Sequence, residues 1–143
     1  MAAALDAAWV ALPLWFRGGF GFAFGAATGW FLAVVVERVP RGIGISGLGD
    51  SPRSQCVCGR ALAPWENLPI VSYLALRGRA RCCGATIPSW YLATEVGMGL
   101  WWAATWALPW LLASLAASLG GALGFVIVGL RRARAAAGQD PQS

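Results

Sequence analysis

Residues 18–36, GGFGFAFGAATGWFLAVVV, carry no charged side chain, and nothing else in the chain constrains its fold as strongly. At about 1.5 Å per residue, about 19 residues of helix span roughly 28 Å, close to one hydrocarbon core. Arg17 precedes the stretch, and Glu37, Arg38 and Arg41 close it. A cleavable export signal needs a basic start and a shorter apolar region; the opening MAAALDAAWV supplies neither, so the segment reads as a retained transmembrane helix. A second charge-free region covers 96–130. As one helix it would run about 52 Å, well beyond a single crossing. Pro109, in Ala-Leu-Pro-Trp-Leu-Leu, lies where a turn would divide it, which predicts a helical hairpin over about 90–108 and 111–130. One long helix kinked at Pro109 fits the same residues.

Arginine sets the orientation. The chain has no Lys and no His, so all eleven basic residues are Arg. Arg38, Arg41, Arg53, Arg60, Arg77, Arg79 and Arg81 fall between the apolar regions, and Arg131, Arg132 and Arg134 follow the second. With three spans both groups lie on one side, and basic loops stay cytoplasmic; with two spans they would lie on opposite faces. The expected fold is therefore an all-α integral membrane protein with about three transmembrane helices. Residues 1–17 are extracytoplasmic, 18–36 form the first helix, 37–90 a cytoplasmic Cys/Arg loop subdomain, 91–130 a transmembrane hairpin and 131–143 a cytoplasmic tail. A net charge of +5 spread through a juxtamembrane loop, with the aromatics mainly in the spans, gives no nucleic-acid footprint. Gly21, Gly25 and Gly29 recur at four-residue spacing, as do Gly120 and Gly124, which suggests close helix packing in lipid.

The loop carries the chemistry. Its cysteines fall in two close pairs, Cys56/Cys58 and Cys82/Cys83, each pair followed by Gly (Gly59, Gly84). A glycine there permits the positive-φ turn that folds a backbone around a metal, and four thiolates from two such knuckles make a Zn2+ site. Reduced structural thiols are the other reading. The absence of His removes the commonest nitrogen ligand and the commonest general base. Residues 47–50, Gly-Leu-Gly-Asp, match the motif of intramembrane aspartyl proteases. That chemistry needs two carboxyl groups sharing a proton. The other aspartates are Asp6, expected outside, and Asp140, in the tail, so Asp50 reads as part of a turn before Ser-Pro.

The run RVPRG…PRSQC…CGRAL…WENLPIVSYLALRGR…CGATI…Y…E resembles the amino-terminal half of bacterial type IV prepilin peptidases over roughly 18–112. The resemblance implies an inner-membrane enzyme that removes the leader of prepilins and N-methylates the new amino terminus with S-adenosylmethionine. It also implies that the two catalytic aspartates sit in a later set of membrane helices, supplied here by a separately encoded protease half. The retained positions are Glu66, Asn67 and Pro69, then Arg77, Gly78 and Arg79, and Glu95 after Tyr91. Glu66 and Gly78 are the candidate methyl-transfer positions; a capping or ion-paired Glu66 and a turn glycine are the plain alternatives. The family's knuckles are two Cys-x-x-Cys-Gly units. Here the first is one residue short, and in the second Ala80 replaces the first cysteine while Cys82 adjoins Cys83. A module of a split prepilin-processing system, a stand-alone methyltransferase and a degenerate or zinc-binding adaptor all fit these departures.

Overall fold

The computed structural model describes residues 1–42 and 54–137. Asp50 with its Gly-Leu-Gly-Asp motif, Arg53 and Asp140 lie outside the described residues. The described residues are helical apart from the loop turns, with two isolated β-bridges. A short helix α1 (Ala2–Ala11) ends at Leu12, whose backbone is extended. Pro13, with its fixed φ and missing N–H, then opens α2 (Leu14–Arg38). The first apolar helix thus begins a turn earlier than the charge-free stretch and takes in Arg17. A 3-10 turn (Val39–Arg41) extends it and ends at Gly42, φ +66°.

The second apolar region is broken as the hairpin reading requires. Helix α4 (Ser89–Trp106) and helix α5 (Leu111–Ala137) flank Leu108-Pro109, and between α2 and α4 lies the five-residue α3 (Val71–Ala75). The hairpin closes on itself: Thr105 and Ser118 hydroxyls share a 2.8 Å hydrogen bond, and Trp101 Nε1 donates to the Ala117 carbonyl at 3.2 Å. A continuous kinked helix is therefore excluded.

Helices α2 and α4 form the tightest interface, because glycine lets their backbones meet. A Cβ at Gly21 would stand 2.9 Å from the Trp102 carbonyl oxygen, at Gly25 2.7 Å from Trp102 Cβ, and at Gly29 2.8 Å from the Thr94 carbonyl oxygen. Met98, Trp102 and Trp106 of α4 make the buried core. Phe24 and Phe20 of α2 stack or tilt against Trp102 and Trp106 at centroid distances of 5.3 and 5.5 Å. The expectation for Gly120 and Gly124 is different in outcome: nothing lies within 4 Å of either position, and Gly121 and Gly129 instead receive Trp101 and Val36.

At the far end from the loop, polar groups tie α1 to the hairpin turn. Asp6 Oδ1 accepts from the Leu111 N–H at 3.0 Å, at the start of α5. Arg17 is buried, and its Nη1 and the Trp9 Nε1 both donate to the Leu108 carbonyl at 3.1 Å. Among the described residues two helices are long and apolar enough to cross a membrane, Leu14–Arg41 and Leu111–Ala135. Much of the outward surface is apolar, including Trp15, Phe31, Leu100, Leu119 and Leu123, a face suited to lipid and poorly suited to water.

Candidate functional site

Two small turns of extended chain build the loop subdomain. In the first, Cys56 N–H donates to Arg60 O and Gly59 N–H to Cys56 O, both at 2.8 Å, with Gln55 bridged to Ala61. In the second, Ala80 N–H donates to Ala85 O and Gly84 N–H to Ala80 O, both at 2.8 Å, with Arg79 bridged to Thr86. Gly59 and Gly84 adopt φ +82° and +70°, a region open to glycine at little steric cost. The sequence expectation for both glycines holds. The hydrogen bonds also align Ala80 with Cys56, and the second turn is one residue longer. That extra residue carries Cys82 into the position facing the first knuckle.

The four cysteines consequently converge, and all four Sγ atoms lie within 4.8 Å of one another, close enough to hold a metal ion. Cys56 faces Cys83 at 3.4 Å, Cys58 faces Cys82 at 3.3 Å, and the adjacent Cys82 and Cys83 are 3.9 Å apart. A tetrahedral thiolate site with metal–sulfur bonds of about 2.3 Å has sulfur–sulfur edges of about 3.8 Å, in the middle of these separations. An all-sulfur set favours a soft or borderline cation such as zinc. The electrostatics are those of a shared proton pool: a backbone hydrogen bond from Cys58, with others from neighbouring thiols, lowers the Cys56 thiol to about 6. Cys82, through its hydrogen bonding with the Cys56 and Cys58 thiols, is pushed up to about 12.

Glu66 sits beside this centre. It closes a 3-10 turn (Pro64–Asn67) that Pro64 opens, and its side chain is 2% exposed. Oε2 accepts from the Ala63 N–H at 2.7 Å, and Arg60 Nη2 donates to Oε1 and Oε2 at 2.7 and 3.0 Å. The Ala63 hydrogen bond, followed by the Arg60 charge, holds the carboxyl below the usual carboxylate range despite its burial. Both oxygens are thus engaged within the subdomain, and Glu66 fastens the first knuckle to the turn. Arg60 was not singled out from the sequence; its position two residues after Cys58 and six before Glu66 was the available signal. Arg81 lies 5.4 Å above the Trp65 ring and adds to the positive surroundings of Glu66.

Gly78 follows α3 in the chain. Its φ is +68°, its N–H donates to Tyr73 O at 2.9 Å and its carbonyl accepts from Ile87 N–H at 2.8 Å. A Cβ there would stand 3.0 Å from the Tyr73 hydroxyl oxygen, so both conformation and space call for glycine. Glu95, from α4, is buried and accepts from the Ile70 N–H at 2.6 Å. The structure thus brings the four cysteines together, with Glu66 joined to them through Arg60, and places Gly78 at the base of the second knuckle.

Residues 23–108 match the family described as Bacterial Peptidase A24 N-terminal domain. Among curated proteins, the chain is similar to a Prepilin leader peptidase/N-methyltransferase of Burkholderia pseudomallei, 37% identical over 115 residues, covering 65% of this chain and 37% of that protein. It is also similar to proteins of the same description from Myxococcus xanthus, 45% identical over 82 residues (57% of this chain, 23% of that protein), and Pseudomonas putida, 52% identical over 50 residues (34% and 17%). The chain thus spans between 17% and 37% of the length of these relatives. No solved structure matches it. The matched stretch includes both knuckles, Glu66, Gly78 and Glu95, and by it the chain belongs to the bacterial peptidase A24 N-terminal domain family.

Proposed function

We propose that this chain is the membrane-embedded amino-terminal module of a prepilin-processing system, working in the bacterial inner membrane on prepilins or pilin-like secretion components and taking part in N-methylation of the mature terminus. The observation that carries this is the family match over 23–108, in relatives that carry both leader peptidase and N-methyltransferase in their names. The aspartates for leader cleavage come from polypeptide outside these 143 residues. Asp6, the described aspartate, is engaged in capping α5.

The module crosses the membrane three times, through α2, α4 and α5. Helix α4 has 18 residues, about 27 Å of helix, with Trp90 and Tyr91 stacked at one end and the exposed Trp110 just beyond the other, as interfacial anchors stand. The loop then lies in the cytoplasm, where its thiols stay reduced. Zinc held by Cys56, Cys58, Cys82 and Cys83 staples a subdomain too small to stabilise itself by burial. S-adenosylmethionine supplies an electrophilic methyl group when bound. Gly78, buried beneath Tyr73, and the chain around it make up the part of the loop we assign to the methyl-transfer region, and Glu66 acts as a positioning residue that keeps the first knuckle in place.

A non-catalytic, zinc-binding adaptor is the second reading, favoured by the engagement of both Glu66 oxygens within the subdomain. One measurement tests the metal site that both readings share, and a second chooses between them. Detergent-purified protein is expected to hold about one zinc per chain, lost in Cys58→Ser and Cys83→Ser. Mass spectrometry of pilin from cells lacking this chain is expected to show a terminus without its methyl group, restored by the wild-type gene. A methylated pilin terminus in the deletion strain would sink the enzymatic reading and leave the adaptor.

A further inference from the structure

Ile70 adopts φ +61°, ψ −52°, a conformation that a β-branched residue takes only under constraint. The Val71 N–H donates to the Pro69 carbonyl across it, which makes Pro69, Ile70 and Val71 a γ-turn of the rare positive-φ form. Such strain persists only where the surroundings over-determine it. Here the constraint arrives from the bundle: the Ile70 N–H donates to Glu95 Oε2 at 2.6 Å, a charge-assisted hydrogen bond of the stronger kind. Glu95 itself is 6% exposed and has little freedom, because a Cβ at Gly29 of α2 would come within 3.0 Å of its Cα.

The turn leads directly to the loop surface. Ile70 precedes α3, Tyr73 of α3 packs against Gly78, Gly78 N–H donates to Tyr73 O, and Ile87 N–H donates to Gly78 O. One carboxylate in the helical bundle is therefore linked through a strained turn and one short helix to the base of the second knuckle.

We propose that Glu95 is a positioning residue for methyl transfer: by holding Ile70 in the strained turn it fixes where α3 and the packed Tyr73–Gly78 contact stand relative to the helical bundle. This rests on the methyl-transfer reading above. The task requires a hydrogen-bond acceptor and no proton transfer, so glutamine can perform it and alanine cannot. Glycine at position 70 takes positive φ at little cost and removes the need for the constraint.

The test uses pilin recovered from cells carrying each variant of the full chain, with methylation and leader removal measured on the same molecules by mass spectrometry. Glu95→Ala is expected to lower the initial methylation rate by about tenfold or more, since misplacement on the order of 1 Å can cost that much, with leader removal unchanged. Glu95→Gln is expected to stay within about threefold of wild type, and Ile70→Gly to restore methylation in the Glu95→Ala background. Hydrogen exchange on purified protein should show the Ile70 amide deprotected in Glu95→Ala and protected in Glu95→Gln. Unchanged methylation in Glu95→Ala overturns the role of Glu95 alone, as does a Glu95→Ala loss that Ile70→Gly leaves unrelieved. A parallel loss of leader removal identifies a merely structural residue and also overturns it. Wild-type cells that remove the leader but add no methyl group overturn the methyl-transfer reading itself.

Discussion

A hydrogen where other residues carry a methyl group decides how closely α2 approaches α4. At Gly25 a Cβ would meet Trp102 Cβ at 2.7 Å and the backbone of Met98, neither of which can move without shifting the helix. At Gly124 the same atom meets nothing within 4 Å. The two substitutions should therefore differ in sign. Gly25→Ala forces the helices apart and is expected to destabilise the bundle by about 1–3 kcal/mol, the usual range for overpacking. Gly124→Ala gains helix propensity, about 0.5–1 kcal/mol, and is expected to be neutral or stabilising. Reversible unfolding in mixed detergent micelles, followed by circular dichroism, checks the contrast. Equal effects at the two sites would mean that α2 and α4 do not meet as described. The spacing of Gly21, Gly25 and Gly29 pointed to this contact, but the same spacing at Gly120 and Gly124 did not. Sequence spacing says that a close approach is possible, and the partner helix decides whether it happens.

At the scale of elements, the two knuckles behave as one chemical unit. With metal removed, four thiols compete for protons, and their titrations belong to the cluster. The Cys56 thiol is lowered to about 6 by the Cys58 backbone N–H first of all, whereas Cys82 is pushed up to about 12 by its hydrogen bonding with Cys56 and Cys58. Only the thiolate is nucleophilic. Above about pH 6 the chelator-treated protein is therefore expected to take up iodoacetamide at Cys56 first, with Cys82 the slowest, and added zinc should protect all four. Peptide mapping at pH 7 reads the order; faster labelling of Cys82 than Cys56 would contradict the pairing. Much of these elements was legible: Pro109 marked the break between α4 and α5, and Gly59 and Gly84 marked the positive-φ turns. The convergence of all four cysteines was expected from their paired spacing; the pairing of Cys58 with Cys82 and of Cys56 with Cys83 was not, because it depends on one extra residue in the second turn. Nor was the Ile70 turn, since a β-branched residue argues locally for extended chain and only Glu95, twenty-five positions away, overrules it. Asp6 was read as a terminal-segment acid, yet it caps a helix that starts at Leu111.

The whole molecule has two unlike ends, and their difference predicts an orientation in a bilayer. At one end α1, Arg17 and the turn around Leu108 form a nearly self-satisfied polar seam, with Trp15 and Trp110 exposed beside it. At the other end Val36 packs on Gly129 and α5 meets the Val39–Arg41 turn, so Arg38 and Arg41 share that end of the bundle with Arg131, Arg132 and Arg134. Arginine resists transfer across the membrane, so this end is expected in the cytoplasm, and that outcome requires α4 to cross. Helix α4 is not one of the two helices long and apolar enough to cross by composition and contains Glu95, but Glu95 lies in its first two turns and bonds to the loop, which spares the helix centre a charge. Loop thiols in chelator-treated cells should react with a membrane-impermeant maleimide only after the inner membrane is opened. A carboxy-terminal alkaline phosphatase fusion should be inactive, because the tail shares the loop's compartment. Active phosphatase together with shielded loop thiols would mean that α4 turns back without crossing, and the three-span arrangement would have to be given up in favour of two.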